Sequence, residues 1–314
     1  MNGPDRLAPR DPAVELSIVI PSWNTRELLA TCLERLAAAD KPPSEVIVVD
    51  NGSADGSAAM VAARHPGAIL VRNARNEGFA RGCNQGLRLA RGRLALLLNT
   101  DTEVAPDAIR RLVLFLAAHP EHGAVAPRLV HAGGHTQRTV MAFPNLRSVL
   151  FFGTPLERWF PRSRELVRYF MRDWDQETSR DVDQPPAACL LVRREVFEAI
   201  GLLDEKLWLF FNDVDFSRRM AQAGWRTHYL ADAVVVHHVG ASTAQFARFV
   251  FEYQKNRLFY YRKHHGRLAG PWVKACGTLA LADYLWTQLA RRWRGGPTEP
   301  LGPILADYWR YLLL

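Results

Sequence analysis

The stretch Leu94-Ala95-Leu96-Leu97-Leu98-Asn99-Thr100-Asp101-Thr102-Glu103 sets five uninterrupted apolar residues against five polar ones. A run so short and so uniformly apolar reads as a strand buried on both faces. The same form recurs upstream: Leu16 to Ile20 stops at Pro21, Glu45 to Val49 stops at Asp50, and Ala68 to Val71 follows. Helical spacing fills the gaps, with Leu28, Leu29, Cys32, Leu33 and Leu36 inside Arg26 to Ala39, then Ser57 to Arg64, Asn84 to Arg91 and Asp107 to Ala118. Strand and helix in alternation predict an α/β domain, a parallel sheet with helices on both faces.

Downstream, strands are expected at Ala188 to Val192, Thr227 to Leu230 and Ala233 to Val236, and a helix at Arg194 to Ile200. Residues 142–184 carry Pro144, Pro155 and Pro161 and a charged stretch, and read as an insertion with short helices. The expected organisation is a flexible N-terminus over 1–15, a main domain over 16–245 and a helical extension over 246–314.

The chain has 314 residues, 48% hydrophobic and 23% charged, which excludes a disordered, collagen-like or multi-span membrane protein. Its net charge is +8, with 40 basic and 32 acidic residues. Residues 241–314 hold 11 basic against 4 acidic residues and 14 of the 32 aromatic ones. A balanced body with a basic, aromatic tail points to an anionic surface as partner. No nucleic-acid motif is present, so a membrane is favoured over nucleic acid. Cys32, Cys83, Cys189 and Cys276 are far apart, with no zinc spacing, and suit a reducing compartment. Met1 to Glu15 contains no apolar core of a secretory leader.

Open parallel sheets bind ligands at the carboxyl ends of their strands. Each of the first four predicted strands is followed by polar residues: Ser22 and Asn24 after Pro21; Asp50, Asn51 and Ser53, with Asp55 beyond; Asn73, Asn76 and Glu77, with Gly78 and Asn84 beyond; Asn99, Thr100 and Asp101. No Gly-x-Gly-x-x-Gly follows the first strand and no Gly-Lys-Ser/Thr occurs, so phosphate binding must rest on carboxylates and a metal. Asp101 is placed either to hold Mg²⁺ or Mn²⁺ or to close an Asx turn. Asp213 and Asp215, within Leu209 to Arg219, could supply a general base or begin a helix. His237 ends an apolar strand, where it is either structural or a metal ligand beside Asp101.

These segments together resemble family 2 glycosyltransferases of the GT-A fold. The resemblance is carried, in order over about 230 residues, by Ser17–Asn24 (SIVIPSWN), Val46–Ser57 (VIVVDNGSADGS), Asn76–Gly86 (NEGFARGCNQG), Leu96–Val104 (LLLNTDTEV), Gly201–Glu205 (GLLDE), Phe210–Arg219 (FFNDVDFSRR) and His237–Ser242 (HHVGAS). Within the family the chain looks most like the rhamnosyltransferase branch. The resemblance implies a mixed, mostly parallel sheet. It implies that Asp50 contacts the donor's pyrimidine base, with Asn24 and Asp55 in adjacent nucleotide loops. Asp101 matches the last Asp of the Asp-x-Asp motif, with Asn99 in the first position, and His237 is implied to complete the metal site. Asp213 matches the catalytic base of a Glu-Asp pair whose Glu is Asn212 here, with Asp215 as second candidate. Gln184, Ala187 and Ala188 fall on the acceptor side.

The implied reaction is metal-dependent and inverting. The implied donor is dTDP-rhamnose or a UDP-sugar, and the acceptor a glycan or polyprenyl-linked sugar in surface polysaccharide synthesis. A catalytically degenerate sugar-nucleotide or glycan-binding module is the alternative, and Asn99 and Asn212 are its features. The tail adds an expected location, cytoplasmic and peripheral at the inner face of the plasma membrane. Trp272, Tyr284, Trp286 and Trp293 would anchor there, with Arg291, Arg292 and Arg294 at anionic headgroups.

Overall fold

A computed structural model describes residues 7–238, 250–295 and 301–314. The described residues form two compact units: 7–141 with 174–238, and 142–173 with 250–295 and 301–314. Residues 239–242 of the His237–Ser242 motif lie outside the described residues.

In the first unit the elements run β1 (Leu16–Ser22), α1 (Arg26–Ala38), β2 (Ser44–Asp50), α2 (Ser57–Arg64), β3 (Ile69–Arg72), α3 (Phe79–Leu89), β4 (Leu94–Leu98), β5 (Thr102–Val104), α4 (Ala108–Ala118) and β6 (His122–Val130). The second unit interposes α5 (Leu146–Phe151), α6 (Pro155–Trp159) and α7 (Arg164–Tyr169). The first resumes with β7 (Arg180–Asp181), β8 (Cys189–Arg193), α8 (Arg194–Ile200), α9 (Asn212–Gln222) and β9 (Arg226–His237). The chain ends in the second unit with α10 (Val250–His265), α11 (Ala269–Trp293) and α12 (Leu301–Leu312).

The strands form one mixed sheet in the order β3-β2-β1-β4-β8-β6-β9-β5, with β7 on β9. Strands β3, β2, β1 and β4 are parallel, β8 is antiparallel to β4 and β6, and β9 is parallel to β6. Alternate residues face opposite ways. Ile18, Ile20, Leu94, Leu96 and Leu98 pack under α1, α2 and α4, while Val19, Ala95 and Leu97 pack under α3, α8 and α9.

Three sequence expectations shift. The predicted helix at Asn84 to Arg91 begins earlier, at Phe79. Its glycines disguise it, because glycine disfavours helix. They are there for close approach: a Cβ at Gly86 would stand 2.4 Å from Val19 Cγ1, and one at Gly82 3.0 Å from Asn51 Nδ2. The two strands expected at 227–230 and 233–236 are one strand, β9, with a bulge where Pro127 pairs Leu230 and Arg128 pairs Val234. Strand β6 was not expected, since Gly123 and Pro127 interrupt its pattern. Residues 142–173 do form short helices, within the same unit as α10, α11 and α12.

In the second unit Leu258, Tyr260, Tyr261, Val273, Cys276 and Tyr311 form the interior. Arg257 is buried and donates to the Val149 carbonyl at 3.0 Å. Asp283, the acidic residue inside α11, pairs with Arg158 at 2.5 Å. Among the described residues no helix is long and apolar enough to cross a membrane.

Candidate active site

Parallel register aligns the strand ends. Ser22 pairs Asp50 at the carboxyl edge of β1 and β2, and Asn51 N–H donates to the Ser22 carbonyl at 2.8 Å. Asp50 is buried; its Oδ2 accepts from Ser53 N–H at 3.2 Å, and its Oδ1 has no hydrogen-bond partner among the described residues. A buried carboxylate oxygen left in this state is costly unless a ligand donor reaches it. Asn24, at φ 51°, accepts at Oδ1 from Ala54 N–H, while its own N–H donates to Ser53 Oγ. Burial pulls the Asp55 carboxyl up, but donations from the Ser57 hydroxyl and the Arg26 and Ser57 amides outweigh it and hold the group below the usual range. Asp55 thereby ties the starts of α1 and α2 together. Pro21 is half-buried beside them and contacts the position a Cβ on Gly82 would take.

The next loop is shaped by Gly78, at φ 92°. A Cβ there would fall 2.4 Å from the Trp208 ring, and Phe79 N–H donates to the Trp208 carbonyl at 2.7 Å. Asn76 Oδ1 accepts from Gly78 N–H, and Asn51 Nδ2 donates to the Gly78 carbonyl. Asn84 faces inward. Its amide both donates to the Leu203 carbonyl at 2.8 Å and accepts from the Leu203 N–H at 3.1 Å, which fastens α3 to the Gly201–Glu205 loop.

Asn99, Thr100 and Asp101 turn from β4 into β5, closed by Thr102 Oγ1 donating to the Asn99 carbonyl at 2.7 Å. Strand β5 pairs with the end of β9, Thr102 opposite His237, and His238 N–H donates to the Asp101 carbonyl at 2.8 Å. This register brings His237 Nε2 to 3.5 Å from Asp101 Oδ1. Gln137, 3% exposed, orients the ring: its Nε2 donates to the His237 carbonyl at 2.6 Å and its Oε1 lies 3.1 Å from His237 Nδ1. An amide oxygen can only accept, so Nδ1 donates, and Nε2 is the nitrogen that faces Asp101. Asp101 Oδ1 is buried and without a hydrogen-bond partner among the described residues. A buried carboxylate oxygen and a ring nitrogen thus face each other without a hydrogen bond, a donor set that fits a divalent cation held by Asp101 and His237. Glu103 is engaged elsewhere: the His238 hydrogen bond, with Arg35, holds its carboxyl low.

Helix α9 begins at Asn212, after Phe211 at φ 64°. Asn212 is buried and donates from Nδ2 to the Leu209 carbonyl at 2.6 Å. Asp213 and Asp215 diverge because two residues turn a helix through about 200°. Asp215 is fully buried and paired with Arg219 Nε at 2.9 Å, and Arg219 also holds the Ile200 and Leu202 carbonyls. Burial pushes the Asp213 carboxyl up, against donations from the Val214 and Ala187 amides. The Ala187 contact ties Asp213 to the residues preceding β8, where the Ala188 carbonyl accepts from Asn99 N–H at 2.9 Å. Asp213, Ala187, Ala188 and Asn99 are therefore linked neighbours. Gln184, also buried, bridges to Met141.

The model of glycosyl transferase family 2 matches residues 17–201. The chain belongs to glycosyl transferase family 2. This glycosyltransferase is 26% identical over 293 residues to the N-acetylglucosaminyl-diphospho-decaprenol L-rhamnosyltransferase of Mycobacterium tuberculosis, covering 88% of its own length and 94% of the relative's. Its fold is similar to that of the mannosyltransferase PcManGT of Pyrobaculum calidifontis in complex with GDP-Man and Mn²⁺, with TM-score 0.56, 20% identity, all of this chain and 85% of that one covered. It is also similar to residues 1–349 of Staphylococcus aureus TarS, with TM-score 0.50, 15% identity and 80% and 74% covered. The expected GT-A architecture is thus borne out, helical C-terminal region included. The sequence reading did not find Gln137 or Trp208, because each acts through a contact distant in sequence.

Proposed function

We propose that this glycosyltransferase moves a sugar, rhamnose before others, from a pyrimidine nucleoside diphosphate to a hydroxyl of a glycan or lipid-linked acceptor, with inversion. The observation that carries the reading is the placement of Asp213, held by the Ala187 amide beside Ala188, whose carbonyl bonds the Asn99 end of the Asn99–Asp101 turn. A buried carboxylate with a raised pKa is a stronger base than a solvated one.

Asp50 receives the base of the donor: its unpartnered Oδ1 accepts the ring N–H that uracil and thymine present. Pro21, Ser22, Asn24, Asn51 and Ser53 shape that loop, and Asn76 and Gly78 the one beside it. Asp101 and His237 would hold Mg²⁺ or Mn²⁺, which supplies positive charge against a diphosphate leaving group. Asp213 takes the acceptor's hydroxyl proton as that oxygen bonds to the anomeric carbon. The bond from that carbon to the diphosphate breaks, and its electron pair leaves on the nucleoside diphosphate. One base and no enzyme nucleophile give inversion. Gln184, Ala187, Ala188 and Asn212 line the acceptor side, where small residues leave room for a sugar.

A lipid-linked acceptor is supported by the name of the mycobacterial relative and by the second unit's surface. Trp286, Leu289 and Trp293 are exposed on α11, and Arg291, Arg292 and Arg294 are exposed at its end. Trp159 and Phe160 line an apolar recess of about 660 Å³ in the same unit. This pattern fits peripheral contact with an anionic membrane face. Trp272 is half-exposed, its indole N–H donating to the Leu146 carbonyl at 2.8 Å.

The test is nucleoside diphosphate release from a panel of nucleotide sugars, with and without Mn²⁺ or Mg²⁺. Metal-dependent release from dTDP-rhamnose ahead of UDP- and GDP-sugars supports the reading. No release from any donor, together with no metal-dependent nucleotide binding, overturns it in favour of a degenerate binding module.

A further inference from the structure

A second cluster of ligand atoms lies on elements that the proposed reaction does not use. His122 opens β6, Asp181 sits in β7 and His228 lies in β9, three positions joined only by the fold. Asp181 Oδ1 stands 2.8 Å from His122 Nε2 and 2.7 Å from His228 Nδ1. One ligand atom from each of the three lies within 4.8 Å of the others.

The rings are held in place before any ion arrives. Phe115 stacks on His228 with centroids 4.2 Å apart and on His119 at 4.4 Å, and meets the His122 ring edge-on at 5.2 Å. His122 is 5% exposed, and its Nδ1 makes no hydrogen bond among the described residues although Glu121 Oε1 is 3.1 Å away. Asp181 is open to solvent on its outer side, which leaves a path of entry.

We propose that His122 Nε2, Asp181 and His228 Nδ1 form a structural site for a divalent transition metal of the zinc type. Two imidazoles and one carboxylate suit Zn²⁺ and its neighbours, whereas Mg²⁺ prefers an all-oxygen shell. Ligation uses a ring lone pair, so on binding each neutral ring moves its proton from the nitrogen facing Asp181 to its other nitrogen. Glu121, beside the other nitrogen of His122, is set as an outer-shell acceptor that fixes the ring. The site's effect would be to clamp the two-residue strand β7 to β9, three residues before Gln184. It is independent of the Asp101–His237 pair, and its test is kept apart from that pair.

The experiment uses the full chain carrying Asp101→Asn, so that the candidate active-site metal does not report. Zn²⁺ is titrated calorimetrically, and the histidine ring resonances are followed by NMR. The expected result is one Zn²⁺ per chain, shifts confined to His122 and His228, and no displacement by a hundredfold excess of Mg²⁺. Adding His228→Ala or Asp181→Asn should weaken binding roughly a hundredfold, with the far-UV circular dichroism unchanged. Absence of Zn²⁺ binding in the Asp101→Asn chain overturns the proposal. So does binding that neither further substitution weakens, or movement of other histidine resonances instead. The NMR readout on the intact cluster decides the matter even where a further variant fails to fold.

Discussion

The Nε2 of His237 stands 3.5 Å from Oδ1 of Asp101, and the amide of Gln137 sets the angle of that meeting. In the proposed metal site Gln137 would be a positioning residue, since its amide oxygen engages Nδ1 and leaves Nε2 toward Asp101. Gln137→Leu removes the acceptor for Nδ1 and lets the ring exchange tautomers. The expected outcome is a rise of about 10–100-fold in the metal concentration needed for half-maximal activity, with kcat at saturating metal largely kept. Gln137→Glu keeps the acceptor for Nδ1 but loses the donor to the His237 carbonyl, so it should recover only part of the loss. A metal titration of activity for the three proteins checks this, and equal curves would remove Gln137 from the site.

Asp213 and Asp215 should separate cleanly. Asp213→Asn is expected to lower kcat by about 10²–10⁴-fold while nucleotide affinity stays unchanged, because a general base acts in the chemical step. Asp215→Asn breaks an ion pair whose carboxylate is fully buried. It should destabilise the fold by about 3 kcal/mol, with turnover per folded molecule retained. Urea unfolding beside steady-state kinetics of both variants gives the comparison.

The direction of the Asp213 shift fixes a pH dependence. The carboxyl is raised in the folded chain, so the native state binds this proton more tightly than the unfolded one. Above the unfolded pKa, stability from this group therefore falls as pH rises, and it is fully lost beyond the raised folded pKa. Asp213→Asn should leave the melting temperature at pH 7 equal or higher, while wild type approaches the variant as pH falls. The acid limb of the wild-type kcat profile should lie above the ordinary aspartate range of 3.8. A melting temperature for Asp213→Asn clearly below wild type at pH 7 would contradict this account.

Much of this was legible in the chain itself, for identifiable reasons. Strands β1, β2 and β4 are buried on both faces, so they read as plain apolar runs, and their polar ends mark the site edge. Strand β6 was hidden because it packs closely. A Cβ at Gly123 would stand 2.8 Å from Val196 Cγ2, so small residues replace the β-branched ones that announce a strand. Helix α3 was misplaced at its start for the same reason at Gly82 and Gly86. Gln137 lies in an irregular segment, and its whole significance comes from a ring on another strand. The division between Asp213 and Asp215 lay within reach, since residues two apart on a helix face nearly opposite ways.

Gly78 tests whether the proposed donor loop depends on backbone form. It combines φ 92° with a Trp208 ring where a Cβ would fall. Gly78→Ala meets both penalties, and neither is relieved without moving the Asn76–Phe79 loop or Trp208. The expected effect is a destabilisation of about 1–3 kcal/mol and a raised KM for the nucleotide sugar. Trp208→Ala in the same chain opens the space but leaves the backbone penalty, so the double variant should regain part of the stability and little of the donor affinity. Thermal unfolding and donor kinetics on the set measure both.

Membrane contact is the last expectation, and its two components can be told apart. Arg291, Arg292 and Arg294 act through the surface potential, so replacing all three with serine should weaken partition onto anionic phosphatidylglycerol vesicles by on the order of a hundredfold at low salt. Raising ionic strength should produce a similar loss for the wild-type chain, because this attraction falls off within a Debye length. Trp286→Ser with Trp293→Ser removes apolar area instead. It should weaken partition onto neutral and anionic vesicles alike, with little dependence on salt. Vesicle sedimentation at two salt concentrations and two lipid compositions resolves the components. Equal binding of all three proteins under every condition would mean that the exposed face of α11 does not meet a bilayer.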